Sequence, residues 1–271
     1  MVMSVNTNGG AMIALQSLLT TNNALEKTQL RITTGLKVGG PKDDASTFAI
    51  AQNMRGDIAG MGAVKTNLAL GQSIVNVAID AGKAIGDLLT EMKAKAVQAS
   101  QEGLDTDSYS ALHQEFTSLR AQIDSIVASA DFNGKNLIDS AATNLKVLST
   151  VDGSTITVTK QSIDATTLAI HTASLSNATV AATALTAISQ AIIDVSNALA
   201  SLGSGAKRID IQAEFTGKLM DILKQGVGNL VDADLAQESA NLQALQIKQQ
   251  LGVQALAIAN AGPQSVLALF Q

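Results

Sequence analysis

The sequence has no cysteine and no tryptophan, and its aromatic residues are one tyrosine and five phenylalanines in 271 residues. Without cysteine there is no disulfide framework, no thiolate metal site and no cysteine nucleophile. The missing disulfides do not argue against an extracellular location. Deep ligand pockets lean on aromatic walls, so a core this poor in rings suits closely packed helices better. Only two prolines interrupt the chain. Proline is the main breaker of helices, so very long helices are permitted. Positive charge is scarce as well: 18 Lys and Arg against 23 Asp and Glu give a net charge of −5. No basic run and no basic face interleaved with aromatics is present, which excludes nucleic acid and anionic membrane as expected partners. No uninterrupted apolar run reaches the roughly 18 residues of a membrane-spanning helix, so membrane insertion is not expected. The start, "MVMSVNTNGGAMIALQSLL", has neither a basic leader nor a long apolar core, and no cleaved signal peptide is expected.

What is abundant is seven-residue periodicity. Leu18, Leu25 and Ile32 follow Ala11 at steps of seven, which predicts a helix from about Thr7 to Thr34, stopped by Gly35. After the breaker-rich loop "GLKVGGPKDD", a carboxylate at Asp43 or Asp44 can cap a second helix running to about Ser100. Its stripe is Ile74, Ala78, Ala81, Ile85, Leu88, Met92, Ala96 and Ala99. Leu112, Phe116, Leu119, Ile123 and Ile126 mark a third helix, from about Thr106 to Ala130. Residues 131 to 176 change to Asn, Asp, Ser, Thr and Gly, and β-branched residues flank Asp152-Gly153, a strong hairpin signal.

Beyond Ser176 a stripe of alternating three- and four-residue steps runs Leu185, Ile188, Ile192, Val195, Leu199, Leu202, Ala206, Ile209, Ala213, Thr216, Met220, Leu223, Val227, Leu230. Gly203 and Gly205 each cost about 1 kcal/mol relative to Ala in a helix, yet the phase passes through them unbroken, so the helix is expected to continue. The phase fails at Asp234 and Gln237. The tail then carries two apolar faces, one with Leu242, Leu245, Leu256 and Ala259 and one with Ile247, Leu251 and Ile258. A helix apolar on two faces must be covered on two sides, and one N-terminal helix covers only one of them. The rest calls for another chain.

Motifs that carry chemistry are lacking, and neither enzyme activity nor a cofactor or catalytic residue is expected. "HQEFT" at His113 displaces the Glu and omits the second His of the zinc-protease motif, and His171 has no partner by spacing. "GMGAVKT" at Gly60 lacks the ending of a phosphate loop and lies in a helix pattern. "DTDSYSALHQEF" from Asp105 has no sixth-position Gly and puts Phe116 where a calcium loop needs Glu, so no metal is expected. Asn177-Ala-Thr179 matches a glycosylation sequon of the kind chance supplies in a chain this rich in Asn and Thr.

Six stretches in order resemble bacterial flagellin: "SVNTN" at Ser4, "RITTG" at Arg31, "KDDAS" at Lys42, "KAVQAS" at Lys95, "DFNGKNL" at Asp131, and the tail "QQLGVQALAIANAGPQSVLALF". The resemblance covers roughly residues 4–140 and 180–271. It implies a mainly α fold, a long antiparallel helical bundle and coiled coil of the chain's two ends with a small β-hairpin insert, in a short form without large outer domains. It implies residues 1–40 with 232–271 as a coiled-coil inner tube, 41–140 with 177–231 as a helical-bundle outer tube, and 141–176 as a small surface insert.

The implied function is a structural subunit that self-assembles into the extracellular flagellar filament for swimming, exported by the flagellar type III apparatus without a cleaved signal. The alternatives are a hook–filament junction protein of the same family and, from another class, a secreted helical translocator or toxin. Implied partners are further copies and other flagellins, cap and hook-junction proteins, and an export chaperone on the C-terminal helix. The expected polymerisation residues are Leu15, Leu18, Leu25, Ile32, Leu242, Leu245, Leu251, Leu256, Ile258, Leu267 and Phe270. Arg31, Lys42, Asp43 and Asp44 are expected at the joint between layers. Flagellins recognised by the vertebrate innate-immune flagellin receptor carry Arg and Leu where this chain has Glu91 and Lys95, while Glu115 is retained, so weak recognition is expected.

Overall fold

A computed structural model describes residues 7–267, with side chains through 261. Five helices dominate: α1 (Gly9–Thr34), α2 (Ala45–Ala99), α3 (Thr106–Ser129), α4 (Ala178–Val231) and α5 (Leu235–Leu267). Each begins where a short polar side chain supplies the missing acceptor for free N–H groups. Asn8 Oδ1 accepts from Ala11, Asp44 Oδ1 from Ser46 and Thr47, and Asp105 Oδ1 from Ser108. Asn177 Oδ1 accepts from Val180 and Asp234 Oδ1 from Ala236 and Gln237. The sequon asparagine is thus the cap of α4. Gly35, at φ 70°, ends α1 in the left-handed conformation that glycine adopts without penalty.

The phase failure at Asp234 is a true break. Residues 232–234 leave the helix, and Asp234 starts α5 as its cap. By contrast α4 continues through Gly203 and Gly205, as the unbroken stripe predicts. All fourteen residues of that stripe are buried or half-buried. By length and composition α4 alone among the described helices is apolar enough to cross a membrane, with a mean hydropathy of 1.5 in its best window. Ser, Thr, Gln, Asp and Asn interrupt its apolar residues, so it holds no uninterrupted apolar run of that length.

The chain divides into two compact units: residues 57–221, and residues 1–56 with 222–271. The 57–221 unit has one closed core. Ile85, Leu89 and Met92 of α2, Phe116 and Ile123 of α3, and Ile188, Val195 and Leu202 of α4 meet in it. Two antiparallel pairs complete the unit: β1 (Asp131–Phe132) with β2 (Lys135–Asn136), and β3 (Leu145–Leu148) with β4 (Thr155–Val158). The second is the hairpin that the Asp152-Gly153 signal predicts, with Gly153 at φ 90° in its tip.

Segment 141–176, expected as a surface insert, contributes Leu145, Val147, Val158, Ile163, Leu168, Ile170 and Leu175 to this core. The physical reason lies in three glycines. A Cβ at Gly71 would lie 2.5 Å from Val147, one at Gly60 2.8 Å from Val151, and one at Gly205 2.9 Å from Val158. The missing side chains are the notches in which the hairpin seats. Three polar contacts fasten the strand-free part to α3: Leu175 N–H to His113 Nδ1, Arg120 to the His171 carbonyl, and Ala165 N–H to Asp124 Oδ1.

Candidate functional site

The candidate site is the pair of terminal helices. Ala11, Ala14, Leu18, Thr21, Leu25, Thr28 and Ile32 form one stripe of α1 at steps of three and four, and all are buried or half-buried. Glu238, Leu242, Leu245, Gln249, Gly252, Leu256 and Ala259 form the matching stripe of α5. The two run antiparallel, as four contacts fix. Asn8 Nδ2 donates to the Ala259 carbonyl at 2.8 Å, and Gln249 Nε2 donates to Asn22 Oδ1 at 2.9 Å. Arg31 Nη1 meets Glu238 Oε1 at 2.9 Å, and Leu18 lies over Gly252. This is a two-stranded seam of the kind a heptad repeat produces.

Each helix keeps a second apolar stripe that the pairing leaves bare. On α1 Met12, Leu15 and Leu19 are 64%, 47% and 53% exposed. On α5 Ile247, Leu251 and Ile258 are 57%, 57% and 75% exposed. Of the residues expected at a polymerisation interface, Leu18, Leu25, Ile32, Leu242, Leu245 and Leu256 therefore lie in the seam inside the chain. Leu15, Leu251 and Ile258 lie on the bare faces. The seam positions are taken by the partner helix of the same chain, which removes most of their surface from other subunits. The Leu267 side chain and Phe270 lie outside the described residues.

The expected joint residues divide as well. Arg31 pairs with Glu238 of α5 rather than with Lys42–Asp44. Lys27 reaches Asp43 at 3.5 Å. Lys42 and Asp43 line, with Lys27, Leu30, Arg31 and Pro41, a groove of about 520 Å³ beside the end of α1. Asp44 caps α2. The Gly39 amide, and after it Lys27, holds the Asp43 carboxyl below the usual aspartate range. The Thr47 hydroxyl and amide do the same for Asp44. Main-chain bonds close the joint: Lys37 N–H to the Val231 carbonyl at 2.7 Å and Ala233 N–H to the Gly35 carbonyl at 2.8 Å. Sequence reasoning missed Glu238 and Lys27. The signal for Glu238 was its place, one heptad before Leu245 on the seam side.

In the 57–221 unit, Lys95 and Glu115 form an ion pair, and Glu91, Gln114 and Ser118 border it. The Glu115 carboxylate raises the Lys95 pKa above the usual lysine value. Among the described residues no group of three His, Asp or Glu is placed to hold a metal ion.

Two family models match the chain. The bacterial flagellin N-terminal helical region matches residues 5–143, and the bacterial flagellin C-terminal helical region matches residues 185–270. The chain is 48% identical to flagellin FljM of Caulobacter vibrioides over 269 residues, covering 99% of this chain and 98% of that one. It is 38% identical to a flagellin of Brucella melitensis over 281 residues, covering 99% of both. The crystal structure of Bacillus cereus flagellin shares the fold, with a TM-score of 0.51 over 55% of this chain and 88% of that one, at 24% identity. The full-length relatives are flagellins, and the junction-protein and translocator readings gain no support from them. The short helical chain, its two paired ends and these matches agree: it belongs to the bacterial flagellin family, the structural subunits that polymerise into the extracellular flagellar filament.

Proposed function

We propose that the α1–α5 pair is the polymerising element, and that its bare stripes are covered by neighbouring copies in the filament. The observation that carries this reading is that pairing covers one stripe of each helix and leaves Met12, Leu15, Leu19, Ile247, Leu251 and Ile258 uncovered. An apolar surface of that extent on a secreted protein is an interaction site or an aggregation liability. Residues 1–40 with 232–271 then form the inner tube, and the remaining helices the layer around it. Arg31, Lys42, Asp43 and Asp44 stiffen the joint between the layers. In the free subunit the terminal helices lack their cover, so they are disordered or held by an export chaperone bound to the C-terminal helix. Cap and hook-junction proteins meet the same faces at the filament's ends. No catalytic role is assigned. On the outer layer Lys95 occupies Glu115 and Glu91 brings negative charge, so the innate-immune flagellin receptor recognises this subunit weakly.

Deleting Gln254–Gln271 tests the polymerising element. The truncated protein should stay soluble and largely helical by circular dichroism and fail to extend filament seeds. Filaments of the truncated protein would overturn the reading.

A further inference from the structure

A heptad seam has a blind spot: shifting one helix by seven residues brings leucine back to leucine. The α1 and α5 stripes share this weakness, since both are built from Ala, Leu and polar residues at the same period. Both could also pair with their own kind in another copy. Three contacts in the seam do not repeat. Leu18 lies over Gly252, where an added Cβ would stand 3.1 Å from Leu18 Cδ1. Asn22 bonds Gln249, and Arg31 bonds Glu238, whose side chain is only 11% exposed.

A shift of seven breaks all three. Leu18 would face Leu245 or Ala259. Asn22 would face Leu242 or Leu256. Glu238 would face Ala24 or Val38, and a buried carboxylate without its cation is costly. Arg31 Nε is already buried without a partner, so losing Glu238 would leave that guanidinium worse off. The other bonds at the two ends of the seam carry no such information. Asn8 binds the Ala259 carbonyl, and Lys37 and Ala233 bond to main chain. Every residue has those main-chain groups, so these bonds hold a pairing without selecting it.

We propose that Leu18/Gly252, Asn22/Gln249 and Arg31/Glu238 are register keys. They select α1 against α5 in one alignment, over slipped or like-with-like pairings, at the expense of seam hydrophobicity. The alignment fixes how far the two bare stripes are staggered, and that last step rests on the polymerising role proposed above.

The chain's lack of cysteine makes the test clean. A Cβ at Gly10 would lie 4.0 Å from Ala259 Cβ, within disulfide reach, so Gly10→Cys/Ala259→Cys reports the native register. Ser17→Cys/Ala259→Cys reports a shift of one heptad, and Gly10→Cys alone reports like-with-like dimers. Each reporter is placed in the full chain, in free subunits and in seeded filaments, and oxidised at low concentration; the uncovered helices of a free subunit pair only part of the time, and the crosslinks sample that paired fraction. With the keys intact, the native crosslink should exceed the slipped one at least about tenfold, the scale set by losing a hydrogen-bonded charge pair.

Replacing Gly252 by Ala, which fills the notch under Leu18, together with Asn22, Arg31, Glu238 and Gln249 by Leu should bring the two crosslinks near parity and raise dimers, with helicity by circular dichroism retained. The swap Arg31→Glu/Glu238→Arg should keep the native preference. A leucine seam that keeps the native preference, or a swap that loses it, would overturn the keys. Chains locked in register by Gly10→Cys/Ala259→Cys should still extend seeds. If the crosslink ratios behave as stated and the locked chains do not polymerise, the polymerising role fails and the keys stand.

Discussion

The 57–221 unit and the unit made from both chain ends draw on the same apolar residues and place them oppositely. In the first, Leu68, Ile85, Leu89, Met92, Phe116 and Ile188 are fully buried in one core. In the second, the buried apolar residues among those described are Val38, Ala51, Val227 and Val231, while Met12, Ile13, Ile247, Leu251 and Ile258 are more than half exposed. Ordering a residue costs about 1–2 kcal/mol of backbone entropy, and burial is what offsets it. The first unit meets that requirement from its own chain. In the proposed reading, the second meets it only when something covers its outer stripes. The difference separates what makes the protein fold from what makes it assemble.

The largest expected effect breaks the first side of that comparison. Phe116→Ala should remove about 3–5 kcal/mol of unfolding free energy, because it empties a fully buried ring site. Leu251→Ala and Ile258→Ala should leave unfolding of the free subunit within about 0.5 kcal/mol and yet slow or abolish seed extension. Urea unfolding followed by circular dichroism and seeded sedimentation measure the two properties. If Ile258→Ala destabilises the free subunit as Phe116→Ala does, the terminal helices are already packed and the comparison collapses.

A smaller effect sharpens it within α2. Gly71→Ala should cost about 1–3 kcal/mol, since its Cβ would lie 2.5 Å from Val147 and the hairpin must lift. Gly62 faces open space in the same helix. Gly62→Ala should therefore change sign and stabilise by up to about 1 kcal/mol. Adding Val147→Ala should recover part of the Gly71→Ala loss. Two glycines a few turns apart that respond alike would refute the notch.

Those notches also show where the sequence stopped being legible. The helices and their stripes were readable because period and caps are local: the α4 phase crossing Gly203 and Gly205, or Asp44 before α2. Gly71 and Gly205 were readable only as helix-weakening residues, because the valines that need them lie on a hairpin distant in sequence. The break at 232–234 showed as a lost phase, but its cause, the Asp234 cap, resembled one more polar stripe position. The two apolar faces of α5 were visible, yet nothing local decides which one meets α1. Leu15 and Leu18 therefore stood together in expectation and lie on different faces of α1.

The outer surface of the 57–221 unit offers a third contrast, one of recognition rather than stability. Lys95 engages Glu115, and Glu91 adds a second carboxylate beside it. Glu91→Arg/Lys95→Leu frees Glu115 and supplies the Arg and Leu of receptor-activating flagellins. It should raise the response of reporter cells carrying the innate-immune flagellin receptor and leave seed extension unchanged. No gain in that response would refute the proposal that Glu91 and Lys95 weaken this recognition.

The smallest effect concerns pH and the caps, and it bears on both units. Asp44, at the start of α2, and Asp105, at the start of α3, have carboxyls held below the ordinary aspartate value of 3.8. For Asp44 the chief cause is the Thr47 side chain, and for Asp105 it is the Ser108 side chain. A group whose folded pKa is depressed adds stability that is complete above its unfolded value and fades as pH falls through the folded one. Both caps should therefore contribute nothing to a pH trend above about pH 5 and weaken only in stronger acid. Asp105→Asn keeps an acceptor for the Ser108 amide but cannot titrate. Melting followed at several acidic pH values should then show a shallower decline for Asp105→Asn than for the parent, while Asp105→Ala starts lower and is equally shallow. An Asp105→Asn protein that declines as steeply as its parent would place the acid sensitivity elsewhere. Asp43, held low by Gly39 and Lys27 in the terminal unit, is then the next carboxyl to replace.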